Sequence, residues 1–296
     1  MPRKTANDFA PEVMQLFDQY VHGRIDRRGF LNGAAQYATA GVSATMLLEM
    51  LKPNFADAQQ IKTDDARIKA RYVEYASPDG SGKMRGYLVT PAKPTGKLPG
   101  VLVVHENRGL NPHIEDVARR MALENFVAFA PDALFPLGGY PGSEETAVAL
   151  FAKLDPARTR NDFFNAAGFL KGLPECTGKV GVVGFCFGGS ITNILATRIA
   201  DLGAAAPFYG GQPGAGEAAK IKAPLMIHNA ENDNWVNKGA DAYEAALKAA
   251  GVKYEAFKYP GTQHGFHNDT TPRYDEAAAK LAWNRTIAFF NKNLRG

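Results

Sequence analysis

The stretch Gly181-Val182-Val183-Gly184-Phe185-Cys186-Phe187-Gly188-Gly189-Ser190 decides the fold. It joins a continuous apolar run, Lys179 to Phe185, to a segment of helical character, Ser190 to Thr197. Between them lies G-x-C-x-G, the pattern of a sharp strand-to-helix elbow with cysteine at its apex. The glycines answer a packing demand, because a β-carbon at 184 or 188 would collide where strand and helix meet. The cysteine stands at a helix N-terminus, where unpaired N–H groups and the positive end of the helix dipole favour a thiolate. Glycines flank many cysteines by chance; the strand before and the helix after give this pattern its weight.

Outward from the elbow, short apolar runs recur at intervals that leave room for helices. Pro99 to His105, Phe126 to Ala130, Ala204 to Tyr209, Pro224 to Asn229 and Tyr254 to Tyr259 read as strands. They are apolar on both faces, as parallel strands covered on both sides must be. His113 to Glu124 is helical, with Ile114, Val117, Met121 and Ala122 on one face, and Tyr274 to Asn291 closes the chain as a helix. Ala70 to Tyr75 and Met84 to Val89 alternate instead, around Gly80-Ser81-Gly82, and predict an opening antiparallel hairpin. Strands alternating with helices predict a mostly parallel, doubly wound α/β sheet. Phe135 to Gly142, rich in Gly and Pro, is expected to be a loop over the site.

A thiolate that attacks acyl carbon needs a base, and the base needs an acid to position it. In chains built on such an elbow the order is nucleophile, acid, histidine. Three histidines follow Cys186. His228 lies inside a strand and reads as a satisfied core residue. His264 lies in the turn-rich segment Pro260-Gly-Thr-Gln-His264-Gly-Phe-His267, just after a strand, and is preferred to its neighbour His267. For the acid, Asp233 is preferred to Glu231, because Trp235 and Val236 can pack its loop down. The bland reading of either acid is a helix N-cap, since a helix starts near Val236.

The 296 residues are 45% hydrophobic and 22% charged, enough to bury one large core. The net charge of +4 is spread thinly, with no basic run and no interleaved aromatics, which argues against a nucleic-acid partner. Two cysteines make neither a disulfide framework nor a structural zinc site. Arg24 to Leu31 resembles a twin-arginine export motif at Arg27-Arg28, followed by a weakly apolar run, Gly33 to Leu51, and by Ala56-Asp57-Ala58, a small-x-small cleavage pattern. The run contains Glu49 and is a poor membrane span. Residues 1–58 therefore read as a leader cleaved after Ala58, which would place the mature chain in the periplasm. The alternative is a helical arm, with Phe9, Val13, Leu16, Phe17 and Tyr20 on one face, retained on a cytoplasmic protein or packed on a second subunit of a homo-oligomer. Residues 59–296 form the α/β domain.

Together, Val104-His-Glu106-Asn107-Arg108-Gly109-Leu110, Ala130-Pro-Asp132, Gly184-Phe-Cys186-Phe-Gly188-Gly189, Asp233 and His264-Gly-Phe266 resemble the dienelactone hydrolase (carboxymethylenebutenolidase-like) family from about Gly86 to the C-terminus. The resemblance implies the α/β-hydrolase fold and hydrolysis of a small-molecule carboxylic ester or lactone by way of a thioester. It implies a triad of Cys186, His264 and Asp233, and an oxyanion hole from the backbone N–H groups of Asn107 and Phe187. It also implies that Glu106 lies beside the thiol and helps form the thiolate. Chemistry supports a special role for Glu106, because a carboxylate ending a buried strand is costly unless paired or protonated. No metal or organic cofactor is implied.

One departure concerns the substrate. Where family members that act on dienelactone hold the substrate carboxylate with arginines, this chain has Asn268 one helical turn beyond His264, and Glu144 and Glu145 upstream; Arg273 is a candidate substitute. Two rival functions compete. A thiol redox protein would pair Cys186 with Cys176, but about six strand residues at ~3.3 Å each separate them by roughly 20 Å. A non-catalytic binding module would have lost a triad position, and none is missing.

Overall fold

The computed structural model describes residues 4–39 and 41–295. Residues 1–3 and Ala40, which belong to the leader-or-arm segment, lie outside the described residues. In chain order the helices and strands are α1 (Pro11–Val21), α2 (Arg27–Ala34), α3 (Ala44–Leu51), α4 (Phe55–Ala58), β1 (Ile68–Ser77), β2 (Gly82–Pro91), β3 (Leu98–Val104), α5 (Pro112–Leu123), β4 (Val127–Pro131), α6 (Glu144–Phe151), α7 (Pro156–Gly172), β5 (Cys176–Phe185), α8 (Phe187–Arg198), β6 (Ala204–Phe208), β7 (Leu225–Asn232), α9 (Asn234–Ala249), β8 (Tyr254–Gln263) and α10 (Glu276–Leu294).

The strands form one sheet in the order β1-β2-β4-β3-β5-β6-β7-β8. β1 and β2 pair antiparallel, with Ile68 opposite Pro91 and Ser77 opposite Gly82, and β2 is antiparallel to β4. Every other pairing is parallel. The pattern of β3 explains why its sequence is apolar throughout. Val101 and Val103 pack with Ile114, Phe289 and Phe290 of α5 and α10, while Leu102 and Val104 pack with Phe163, Leu195 and Leu247 of α7, α8 and α9. Both faces are buried, so alternation disappears. Such a sheet gathers the carboxyl ends of β3, β5, β7 and β8 at one edge, where loops can build a site.

The hairpin, the buried strands, α5 and α10 fall where the sequence predicts them, within a few residues. The segment 144–172 carries no sequence assignment, yet it forms α6 and α7. The inward face of α7 explains the silence: it buries Thr159, Asp162, Ala166 and Ala167 alongside Phe163 and Leu170, so small and polar residues blur the apolar stripe. Asp162 is satisfied there by the hydroxyls of Ser77 (2.6 Å) and Ser81 (2.7 Å). Cys176 begins β5 rather than preceding it, so the full strand still separates it from Cys186, and both cysteines are free.

The described residues among the first 58 fold as a helical arm with a small core of their own. Phe9, Val13, Met14, Phe17, Phe30, Leu47, Leu48 and Leu51 bury one another. Asp26 caps α2 through the Gly29 N–H at 2.7 Å, so the arginine pair Arg27-Arg28 forms its first turn; Ser43 caps α3. Ala56-Asp57-Ala58 lies in α4. The arm is tied to the α/β domain at its end: Asp116 of α5 accepts from the Gln60 and Ile61 N–H groups, and the Asn54 N–H donates to the Thr270 carbonyl. Among the described residues no helix is long and apolar enough to cross a membrane.

Candidate active site

The elbow between β5 and α8 holds Cys186 at φ 55°, ψ −113°, a conformation that costs a non-glycine residue about 1–3 kcal/mol. Its surroundings leave no slack. A β-carbon at Gly184 would lie 2.1 Å from the Gly188 carbonyl oxygen, and one at Gly188 would lie 2.2 Å from the Val104 carbonyl oxygen. Both glycines are therefore demanded by backbone contact. The strain points Sγ outward from the first turn of α8, into a cavity of about 360 Å³.

The loop after β8 brings His264 to this cavity, and the end of β7 brings Asp233. The His264 Nδ1–H donates to Asp233 Oδ2 at 2.6 Å, leaving the other ring nitrogen for the sulfur side. Asp233 is at once the N-cap of α9, accepting from the Val236 N–H at 3.1 Å. The capping and positioning readings of this acid are thus both satisfied by its two oxygens. Glu231 is turned away onto the Gly261 N–H. His267 lies elsewhere: buried and stacked on Phe185 and Trp283, it is pushed by burial down to about 3. His228 is a core residue, bonded to the Tyr259 hydroxyl at 2.8 Å and to Thr286 Oγ1 at 3.0 Å.

A third group arrives from the arm. His22 caps the C-terminal end of α1, and its Nε2 lies 3.7 Å from Cys186 Sγ. Its ring meets that of His264 edge to face at 4.7 Å. Sγ and one nitrogen from each imidazole lie within 4.8 Å of one another. These are donor types that a soft metal ion would accept, and equally those of a thiolate flanked by two imidazoles. Their protons are coupled. Burial would raise the Cys186 thiol, but the His264 and His22 cations bring it down from 9.0 to about 6. Burial would lower both imidazoles; the thiolate and Asp233 instead raise His264 to about 10, and Asp18 and the thiolate raise His22 to about 9.

Glu106 follows β3 and is buried, and its hydrogen-bond partner is the Asn268 amide, 2.7 Å from Oε2. The two neighbours of His105 fix this corner, since its Nδ1–H donates to the Glu106 carbonyl and its Nε2 accepts from the Ala133 N–H. Asn107 lines the cavity, and Phe187 follows Cys186 as the first residue of α8, where a backbone N–H has no acceptor within the helix. Arg108 reaches Glu144 at 3.1 Å, the Asn107 side-chain oxygen at 2.8 Å and the Val21 carbonyl at 2.9 Å. Arg273 lies over the Phe17 ring and 3.7 Å from Asp18. Tyr140, from the Gly- and Pro-rich loop, lines the cavity as the sequence led us to expect.

His22 and Arg108 line the cavity and Asp18 backs His22, and sequence reasoning gave none of the three a role there. Reading residues 1–58 as a leader removed His22 from consideration. The one signal for it was an acid four residues earlier on an amphipathic helix, Asp18, which accepts from the imidazole.

The dienelactone hydrolase family model matches residues 84–294, and a model described as YqhI-like matches residues 1–39. The protein usf of Aquifex pyrophilus is 38% identical over 72% of this chain and 94% of its own length. A Salmonella typhi protein described as "Putative carboxymethylenebutenolidase" is 30% identical over 78% of this chain and 90% of its own. Among solved structures, a dienelactone hydrolase-like promiscuous phosphotriesterase from metagenomic libraries superposes with a TM-score of 0.65 at 26% identity, covering 77% of this chain and 99% of that one. The chain belongs to the dienelactone hydrolase family, and it is a hydrolase of the ester- and lactone-cleaving kind on an α/β-hydrolase fold.

Proposed function

We propose that the protein hydrolyses carboxylic esters or lactones through a thioester on Cys186, and the observation that carries this reading is Sγ at the strained elbow, facing a histidine backed by Asp233 at 2.6 Å. The thiolate attacks the acyl carbon. The carbonyl oxygen takes the negative charge and is met by the Asn107 and Phe187 N–H groups. The carbon–oxygen bond of the ester then breaks, and the departing alkoxide takes the proton of the His264 imidazolium. In a lactone that alkoxide stays tethered to the acyl group. His264, now neutral and oriented by Asp233, takes a proton from water, and the hydroxide attacks the thioester carbon. The carbon–sulfur bond breaks, restoring thiolate and imidazolium and releasing the acid.

The cavity favours a neutral substrate. Its two guanidinium groups already face carboxylates, Arg108 on Glu144 and Arg273 on Asp18. An anionic substrate would have to displace one of them.

The test is turnover of a chromogenic ester by wild type and by Cys186→Ala, with mass spectrometry of the acid-quenched wild type. We expect an acyl adduct on Cys186 and no turnover in the variant. Undiminished turnover by Cys186→Ala would remove the cysteine from the mechanism.

A further inference from the structure

His22 takes no part in the reaction sequence above, yet its Nε2 lies 3.7 Å from the sulfur. Its position is over-determined. The Val21 carbonyl next to it accepts from Asn107 Nδ2 and from Arg108 Nη2, each at 2.9 Å. Its own Nδ1 donates to the Asp18 carbonyl at 2.7 Å and lies 3.3 Å from Asp18 Oδ1. That bond fixes the tautomer: Nδ1 carries a hydrogen. Nε2 then faces Sγ with a lone pair if the ring is neutral, or with a second N–H if it is charged. A lone pair suits a thiol; only the charged ring suits a thiolate. A thiolate at Sγ therefore calls for a charged His22, whose extra proton is its own, since the proton of the thiol goes to His264.

We propose that His22, delivered by the N-terminal arm and backed by Asp18, is a second catalytic histidine of this site, a lasting imidazolium that holds the charge of the Cys186 thiolate while His264 alone moves protons. The proposal rests on Cys186 being the nucleophile. His22 gains and loses no proton over a turnover. Its N–H···S bond weakens as the carbon–sulfur bond forms and strengthens as that bond breaks, which makes sulfur a better leaving group in the second half of the reaction. Without it, one imidazole would serve both as the cation that stabilises sulfur and as the base that must be neutral.

The charges facing this pair come from every side. Asp18 and the thiolate favour the His22 cation, and His264 opposes it. Arg273 sits behind Asp18. Arg108 and the Tyr209 phenol feel both Glu106 and the sulfur. The acids nearest to His22 and to His264 are each within hydrogen-bonding range of the ring, so neither cation is left unmatched in a buried place.

The experiment follows the thiolate by its ultraviolet absorbance, and by the rate of alkylation with iodoacetamide, as a function of pH in full-length wild type, His22→Gln, His22→Ala and Asp18→Asn. Loss of one adjacent cation is expected to raise the thiolate midpoint by on the order of one pH unit, with kcat falling roughly twofold near neutrality and approaching about tenfold below pH 6, and a smaller change in KM. Asp18→Asn, which leaves the sulfur's own contact in place, should move the midpoint in the same direction by less. Free imidazole should restore part of the activity of His22→Ala. An unmoved midpoint in His22→Gln and in Asp18→Asn overturns the proposal. Cys186→Ala separates the two readings: if it turns over, the nucleophile is wrong; if it is dead while the midpoints stand still, only His22 loses its role.

Discussion

The Asn268 amide holds Glu106 at 2.7 Å, and its own carbonyl oxygen accepts from both the N–H (3.0 Å) and the hydroxyl (2.5 Å) of Thr270. Glu106 is thereby kept as a neighbour of the reacting groups, with its hydrogen bond spent on the loop after β8 rather than on sulfur. The position read from sequence as a missing arginine thus has a structural task of its own.

Asn268→Ala should expose that task. The variant leaves a buried carboxylate without its donor, and the expected cost is about 1–3 kcal/mol in urea denaturation. Asn268→Asp, which sets a second carboxylate against Glu106, should cost more than Asn268→Ala. Equal stability of all three proteins would show that Glu106 finds another partner.

His264→Ala and His267→Ala should separate into two kinds of damage. His264 is placed between Asp233 and the sulfur, so its loss should lower turnover by on the order of 10³-fold or more with little effect on melting. His267 fills space between Phe185 and Trp283. Its loss should lower stability by about 1–3 kcal/mol and leave kcat nearly intact once the protein is folded. Steady-state kinetics beside thermal melts distinguish the two, and the opposite assignment of effects would transfer the base to His267.

The fold was legible because its deciding residues obey steric rules that need no tertiary context. Gly184 and Gly188 announce a close strand-to-helix approach, and β3 to β7 announce burial on both faces. Asp233 and His264 followed from chain order and turn chemistry. What stayed hidden depends on long-range packing. The inward face of α7 is made of Asp162, Thr159 and alanines, which no periodicity of strong hydrophobes reveals. The Arg108–Glu144 pair joins the loop after β3 to α6, and neither residue advertises the other. His22 was the largest omission, because a motif that can be read as an address on residues 24–58 gave no reason to look for chemistry just before it.

The pH dependence of kcat/KM should be bell-shaped. The thiol is brought down to about 6, so activity should rise with pH through that region as sulfur loses its proton. His22 and His264 are raised to about 9 and about 10, so activity should fall above that range as the cations are lost. These limbs belong to the coupled trio rather than to single residues. In His22→Gln the acid limb should move upward, toward the unperturbed thiol. A flat profile between pH 5 and 8 would be inconsistent with a thiolate nucleophile in this site.

The two readings of residues 1–58 part company at His22. A leader removed after Ala58 would carry away His22, Asp18 and the Val21 carbonyl, leaving the Asn107 amide and Arg108 Nη2 without that shared acceptor and Arg273 without Asp18. It would also discard the small core formed by Phe17, Phe30 and Leu48. We therefore expect active protein isolated from a native host to retain α1 and α2, and N-terminal sequencing is the direct measurement. Retention does not decide the compartment, because a twin-arginine route carries folded chains and would deliver Cys186 already enclosed by the arm. Replacing Arg27 and Arg28 together by Lys tests that separately: both keep their charge, and Arg27 makes only a half-exposed 3.7 Å pair with Glu145, so folding should be little affected. A shift of the double variant from the periplasmic to the cytoplasmic fraction would establish export. Fully active enzyme beginning at Gln59, with its thiolate midpoint near 6, would instead show that the arm is dispensable and that His264 alone holds the sulfur.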